Sequence, residues 1–238
     1  VHSSAPTYPT PSTPTAAPYN IFKRVGMLLL ALLIVSLGIM VIVLQSFPNM
    51  PTNQQNINSL GLAGIGLIAL LYLQHRKQGL REVIMGQQFL RPYLYGLGAI
   101  VIIYGLCAAW MYLLNVPRES FLVHFFDDLA PGQIALLCAT LILFPPVAEE
   151  LLFRHYLMRL FPLDRGPGWQ WAAIVVSTLL FTASHIQYDN YVTGFTLLTA
   201  SLVFGISRVL SGGLIVPVLL HASTEVIALI LNYIQIPG

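Results

Sequence analysis

The decad Pro145-Pro146-Val147-Ala148-Glu149-Glu150-Leu151-Leu152-Phe153-Arg154 sets two adjacent carboxylates and an arginine inside an otherwise apolar run. Charged side chains are costly in hydrocarbon, and those that persist there face a protein interior or a wet cavity and mark function. The surrounding chain makes hydrocarbon the natural medium, because 56% of its 238 residues are hydrophobic and 8% are charged, with a mean hydropathy of +0.76. A soluble domain carries about 25% charged residues. The composition therefore specifies an all-α fold, a polytopic transmembrane helical bundle.

Outward from the decad, apolar runs recur near residues 22–46, 57–74, 92–114, 132–160, 169–186, 191–210 and 214–236. Each is about the length a helix needs to cross ~30 Å of hydrocarbon, which predicts about seven spans. The fourth is overlong, and Pro145-Pro146 should kink it. Residues 1–20 are rich in Pro, Ser and Thr and bury little, which predicts a disordered tail. Residues 21–130 read as N-terminal transmembrane helices with a basic loop, and 131–238 as the helical core that carries the polar motifs. The first run follows Lys23 and Arg24 and continues to Phe47 without a cleavage site, so it reads as a span rather than a signal peptide.

The cations fall in alternate connections: Lys23 and Arg24, then His75 through Arg91, then Arg159 and Arg165, then Arg208. By the positive-inside tendency the N-terminus is cytoplasmic and the C-terminus external. Gln78 to Gln88 reads as a short interfacial helix on that cytoplasmic face. A net charge of +2 spread over many loops offers nucleic acid no basic face. Cys107 and Cys138 lie in apolar runs without metal-ligand spacing, which argues against a disulfide framework and a zinc-thiolate site. No internal repeat supports a transporter of inverted halves.

Within the spans, Glu149 and Glu150 point roughly 100° apart on a helix and do not serve one point. Glu150 and Arg154 stand at i and i+4, where opposite charges meet on one face. Their pairing leaves Glu149 the freer carboxylate. Phe181-Thr182-Ala183-Ser184-His185 puts a ring and an imidazole one turn apart, and His221 and Glu225 share a face by the same spacing. At ~1.5 Å per residue from the cytoplasmic ends, Glu149 lies roughly 15 Å deep, His185 roughly 22 Å and His221 roughly 10 Å. Helix tilt and the proline kink must close that spread.

A carboxylate and an imidazole can hold a water and take its proton. A second imidazole with a neighbouring donor can stabilise the oxyanion formed when that water adds to a peptide carbonyl. Together they suit peptide hydrolysis without a covalent intermediate. The bland readings are that Glu150–Arg154 only supports a helix, that His185 is an interfacial histidine, and that Phe181 is packing. His124 and His155 read as solvated residues near loops. Ser184 and Ser223 have no base placed to activate them, and no G-x-S-x-G occurs. Glu149, His185 and His221 also make a conceivable two-His, one-carboxylate zinc site. No H-E-x-x-H occurs, so a metal-free mechanism without cofactor is favoured and zinc is the alternative.

E-E-x-x-x-R at Glu149–Arg154, F-x-x-x-H at Phe181–His185 and the His221–Glu225 pair, in that order on successive apolar helices, resemble the CAAX-protease and bacteriocin-processing family. That family, also called Abi, includes the Ras-converting endopeptidase. The resemblance covers about Pro131 to Gln235. It implies a glutamate-type intramembrane endopeptidase whose helical fold opens toward the cytoplasm, acting on a peptide or protein that is lipidated or membrane-embedded. By that likeness Glu149 and His185 activate water, and His221 with position 225 forms the oxyanion site. Arg154 holds Glu150, and Phe181 lines the pocket. Position 225 departs from the pattern, which has Asn or Asp there. A charged Glu225 would repel an oxyanion, whereas a protonated one would donate to it. The competing readings are a non-catalytic immunity or peptide-binding protein of the same fold and a proton-coupled transporter.

Overall fold

The computed structural model describes residues 19–45, 50–77 and 79–234; of the expected tail, all but Tyr19 and Asn20 lies outside them. The chain forms α1 (Ile21–Gln45), α2 (Thr52–His75), a short α3 (Leu80–Met85), α4 (Leu90–Leu113), a one-turn α5 (Ser120–Val123), α6 (Pro131–Glu150), α7 (Pro167–Ala183), α8 (Tyr191–Ser211) and α9 (Ile215–Ile234). No strand occurs among the described residues. Among the described residues six stretches are long and apolar enough to cross a membrane: Ile21–Ile42, Thr52–His75, Leu80–Leu113, Pro131–Leu160, Tyr191–Ser211 and Ile215–Asn232. The run expected to be the remaining span is α7, whose 17 residues reach about 25 Å at ~1.5 Å per residue, short of ~30 Å of hydrocarbon. Large apolar side chains such as Leu29, Ile65, Ile102, Leu106 and Leu179 point outward, as a bundle bathed in lipid tails permits.

The helices that carry the motifs are packed by small residues. On α2, a Cβ at Gly61 would come within 2.5 Å of the Phe144 ring, and Gly64 sits against Ala148. Such close approach of backbones replaces the hydrophobic drive that lipid removes. It seats α6 on α2 just ahead of Glu149. Leu67, Leu70 and Leu71 then pack with Leu151 and Tyr156, and the Tyr156 hydroxyl donates to the Leu67 carbonyl at 3.1 Å. On the other side Ile100, Phe204, Val216 and Leu220 join α4, α8 and α9.

Pro145 and Pro146 both lie inside the α-helical part of α6. The departure from α geometry comes a turn later, where the helix widens into a π-helical segment, Leu151–Leu157, and tightens into a 3-10 turn, Met158–Leu160. Wide turns of this kind occur mostly at functional sites. Arg154, His155 and Tyr156 are successive residues, yet all three are buried. His155, expected to be solvated, has 0% exposure, because α2 covers it from above the widened turn. His124 is exposed, as expected, beside Asp127.

The expected interfacial helix is shorter than 78–88 and does not lie free on the face. Gln87 N–H donates to the Ser211 carbonyl at 2.8 Å and Leu214 N–H to the Val83 carbonyl at 3.1 Å. Gly86, at φ +67°, lies against the backbone of Ser211 and Gly213, leaving no room for a Cβ. This backbone clasp ties α3 to the turn between α8 and α9.

Candidate active site

His221 is the hub of the polar set. Its Nδ1 donates to Glu150 Oε1 at 3.0 Å, while its Nε2 lies 4.0 Å from Glu149 Oε2 and 3.5 Å from Glu225 Oε1. The two glutamates diverge by about 100° around their helix, and one imidazole reaches both by offering each a different nitrogen. Glu150 and Arg154 have 0% side-chain exposure and pair at 3.2 Å. The contact is one of charge rather than aligned hydrogen bonding, since neither Arg154 Nε nor Glu150 Oε2 has a hydrogen-bond partner. Arg154 Nη2 donates instead to the Ser201 hydroxyl at 2.6 Å and the Ser201 carbonyl at 2.9 Å. Its guanidinium lies over the rings of Phe181 and Phe204 at 4.8 and 5.4 Å, a setting that favours a cation out of water.

His185 does not sit on a helix. It lies in the turn just beyond Ala183, and its Nδ1 donates to the Phe181 carbonyl at 2.8 Å. That bond puts the proton on Nδ1 and leaves Nε2 bare, 3.9 Å from Glu149 Oε2. Whatever their expected depths, the three side chains meet, Glu149 Oε2 lying within 3.9 and 4.0 Å of the two imidazoles. Glu149 Oε2 is buried and takes no hydrogen bond from the protein. A water oxygen about 2.8 Å from both Glu149 Oε2 and His185 Nε2 fits that separation.

Phe181 is buried between the two histidines, with ring centroids 4.6 Å from His185 and 5.7 Å from His221. It lines the cavity as well as packing. Several neighbours carried no signal in the sequence reading. Phe204 stacks on His221 at 4.9 Å. Tyr188 lies parallel to His185 at 6.1 Å, and burial followed by the nearby Glu225 carboxylate pushes its phenol above the usual range, so it remains a hydroxyl. Glu119 is buried, and its two oxygens accept from the backbone N–H groups of Asp189 and Asn190 at 3.4 and 3.0 Å. It thereby pins the turn that holds His185. Its place in a polar connection, after Arg118 and ahead of Asp127 and Asp128, gave it no mark that a sequence could show.

Glu149, His185, His221 and Glu225 all line one cavity of about 460 Å³. It extends past Tyr104 to Asn53, Arg118 and Asn232, residues near the start of α2, the connection before α5 and the end of α9. The basic connections sit at the opposite end of the bundle, where Arg24 Nη1 donates to the Arg159 carbonyl at 2.7 Å and Arg159 Nη1 to His75 at 2.8 Å. None of these basic residues lines the cavity.

The zinc alternative meets a geometric test. Ligands ~2.0–2.1 Å from a tetrahedral ion lie about 3.3 Å apart, whereas Glu149 Oε2 is 3.9 and 4.0 Å from the two imidazole nitrogens. Among the described residues no group of three His, Cys, Asp or Glu is arranged to hold a metal. The set as placed does not fit zinc.

Comparison with known proteins places the motifs in a family setting. Residues 131–227 match the family model described as type II CAAX prenyl endopeptidase Rce1-like, the family that the three motifs resemble. An uncharacterized 24.3 kDa protein of Escherichia coli is 33% identical over 117 residues, which are 49% of this chain and 54% of that protein. The chain thus spans about half the length of the relative it matches. No solved structure matches.

Proposed function

We propose that the chain is an intramembrane endopeptidase that hydrolyses a peptide bond with water activated by Glu149 and His185. The observation that carries the reading is the approach of Glu149 Oε2 to His185 Nε2 and His221 Nε2, at 3.9 and 4.0 Å, on the wall of one cavity. The match of residues 131–227 to the prenyl endopeptidase family supports it.

Water in this arrangement donates one hydrogen to Glu149 Oε2 and the other to His185 Nε2. Glu149 takes a proton as the water oxygen adds to the scissile carbonyl carbon. The oxyanion is met by Nε2–H of His221, which acts as an imidazolium because its Nδ1–H is already given to Glu150. Collapse of the tetrahedral adduct breaks the C–N bond, and Glu149 returns its proton to the leaving amine. Glu225, 3.5 Å from His221 Nε2, assists the oxyanion only as a protonated donor. Glu150 and Arg154 are positioning residues, and Phe181 shapes the wall. The substrate is a peptide or protein held at the membrane, with a lipid chain as its anchor. With the basic end cytoplasmic, the cavity admits substrate from the opposite leaflet.

The test is cleavage of one CAAX-terminated peptide, farnesylated and unfarnesylated, by the purified chain, with products identified by mass. Cleavage by the wild type that Glu149→Gln and His185→Ala abolish without altered thermal unfolding supports the proposal. Binding of peptide with no cleavage by the wild type favours a peptide-binding protein and overturns it. Orientation is checked separately with Lys77→Cys and Asp127→Cys, labelled in intact cells by an impermeant maleimide; labelling of Lys77→Cys alone would reverse the assignment.

A further inference from the structure

A second buried polar cluster, unrelated to the cavity, lies where α1 begins and α2, α6 and α8 reach their basic ends. The rings of His75 and His155 meet edge to face at 5.3 Å. Arg159 Nη1 donates to His75 Nε2 at 2.8 Å, and a guanidinium only donates, so that nitrogen carries no proton. His155 Nε2 faces Gln74 Oε1 at 3.3 Å, leaving its Nδ1 buried without a partner. Arg208 lies in the last turn of α8, near enough to Arg159 and His155 for their charges to interact. Its Nε–H is buried and donates to nothing.

No carboxylate answers these cations: among the described residues the ion pairs involve His124, Arg154, His185 and His221, and none involves Arg24, Arg159 or Arg208. Arg24 is held by the carbonyls of Arg159 and Phe161 at 2.7 and 3.1 Å. Helix C-termini attract cations one at a time. That accounts for Arg208 at the end of α8, and leaves unexplained why the groups converge and why its buried Nε–H has no acceptor. A buried donor without an acceptor is costly, more so when charged, and an anion removes that cost.

We propose that this cluster, with Arg208 and Arg159 as its principal donors, binds a phosphate group that carries a net negative charge, at the headgroup level of the membrane. Basic recesses between helix ends commonly take lipid headgroups, and a free phosphate has the same chemistry. The site is separate from the proposed hydrolase centre and stands whether or not that centre cleaves peptides.

The experiment uses the full chain purified in a neutral detergent. Thermal unfolding is followed during titration with phosphatidylglycerol, phosphatidylcholine or inorganic phosphate, at ionic strength matched with chloride. Phosphatidylglycerol should raise the midpoint at concentrations where phosphatidylcholine does not, and Arg208→Gln should weaken that response about fivefold, the effect of one basic contact. Arg91→Gln removes an exposed cation from the same end and should leave the response unchanged. A response to inorganic phosphate as well assigns the site to phosphate in general; a response to the lipid alone assigns it to a headgroup. Equal responses to both lipids with none to phosphate overturn the proposal, as does an undiminished response in Arg208→Gln. Should that variant fail to fold, the wild-type contrast between the two lipids, repeated by native mass spectrometry of retained lipid, decides alone.

Discussion

The two polar clusters of this bundle handle buried charge in opposite ways. Around His221, carboxylates, imidazoles and a guanidinium answer one another: Glu150 faces Arg154 at 3.2 Å and His221 at 3.0 Å. Around Arg208 and Arg159 the charges share one sign, and no described carboxylate pairs with them. The first cluster lies deep between helices, where only protein groups or enclosed water can compensate. The second lies at helix ends, where the membrane surface can supply what the chain lacks. Depth therefore decides whether a charge must be balanced from within.

Within the self-balanced cluster, Glu149 differs from Glu150 in lining the cavity, with its charged neighbours at 3.9 and 4.0 Å rather than 3.2 and 3.0 Å. Glu149→Gln should lower the rate of peptide cleavage by about 10²- to 10⁴-fold, the range for losing a general base, with the thermal midpoint held. A folded variant that keeps full activity would erase the functional distinction between the adjacent glutamates.

Arg154→Met removes the guanidinium and leaves Glu150 buried beside one imidazole. Breaking a buried pair costs about 3–5 kcal/mol, which denaturant unfolding should register. The double change Glu150→Leu with Arg154→Met should recover part of that loss, since two apolar residues leave no orphaned charge. A double variant less stable than the single one would show that Glu150 is held mainly by His221.

Glu119 is the outlying member of the balanced region, and Glu119→Ala frees two backbone donors next to His185. Hydrogen bonds to a charged group contribute about 1.5–3 kcal/mol. The variant should therefore lose stability in that range and lower kcat more than it raises KM, as the His185 turn loosens. An effect on stability alone would make Glu119 a purely structural cap.

Glu225→Gln should stay active to within about tenfold, because an amide still donates to an oxyanion. A folded but inactive variant would assign Glu225 to proton transfer. Smallest of all, treatment of the active protein with a chelator should leave the rate unchanged. Loss restored by zinc would overturn the metal-free reading.

Hydropathy made the bundle and its helix limits legible, and i, i+4 spacing made Glu150–Arg154, Phe181–His185 and His221–Glu225 legible as pairs. His155 was misread as a solvated residue near a loop, whereas it lies within the π-helical segment Leu151–Leu157, where it is buried together with its neighbour Arg154. His185 was read as the end of a helix, whereas α7 stops at Ala183 and Glu119, remote in sequence, pins the turn beyond.

By itself the sequence determined the medium, the helices and which few residues carry charge into it, because these follow from local composition and spacing. Only the tertiary structure decided that His221 reaches both glutamates, that His185 joins Glu149, and that the cavity and the basic helix ends lie at opposite poles. Those are distances between helices, set by glycine contacts, a widened turn and one short helix, and no periodicity within a single segment encodes them.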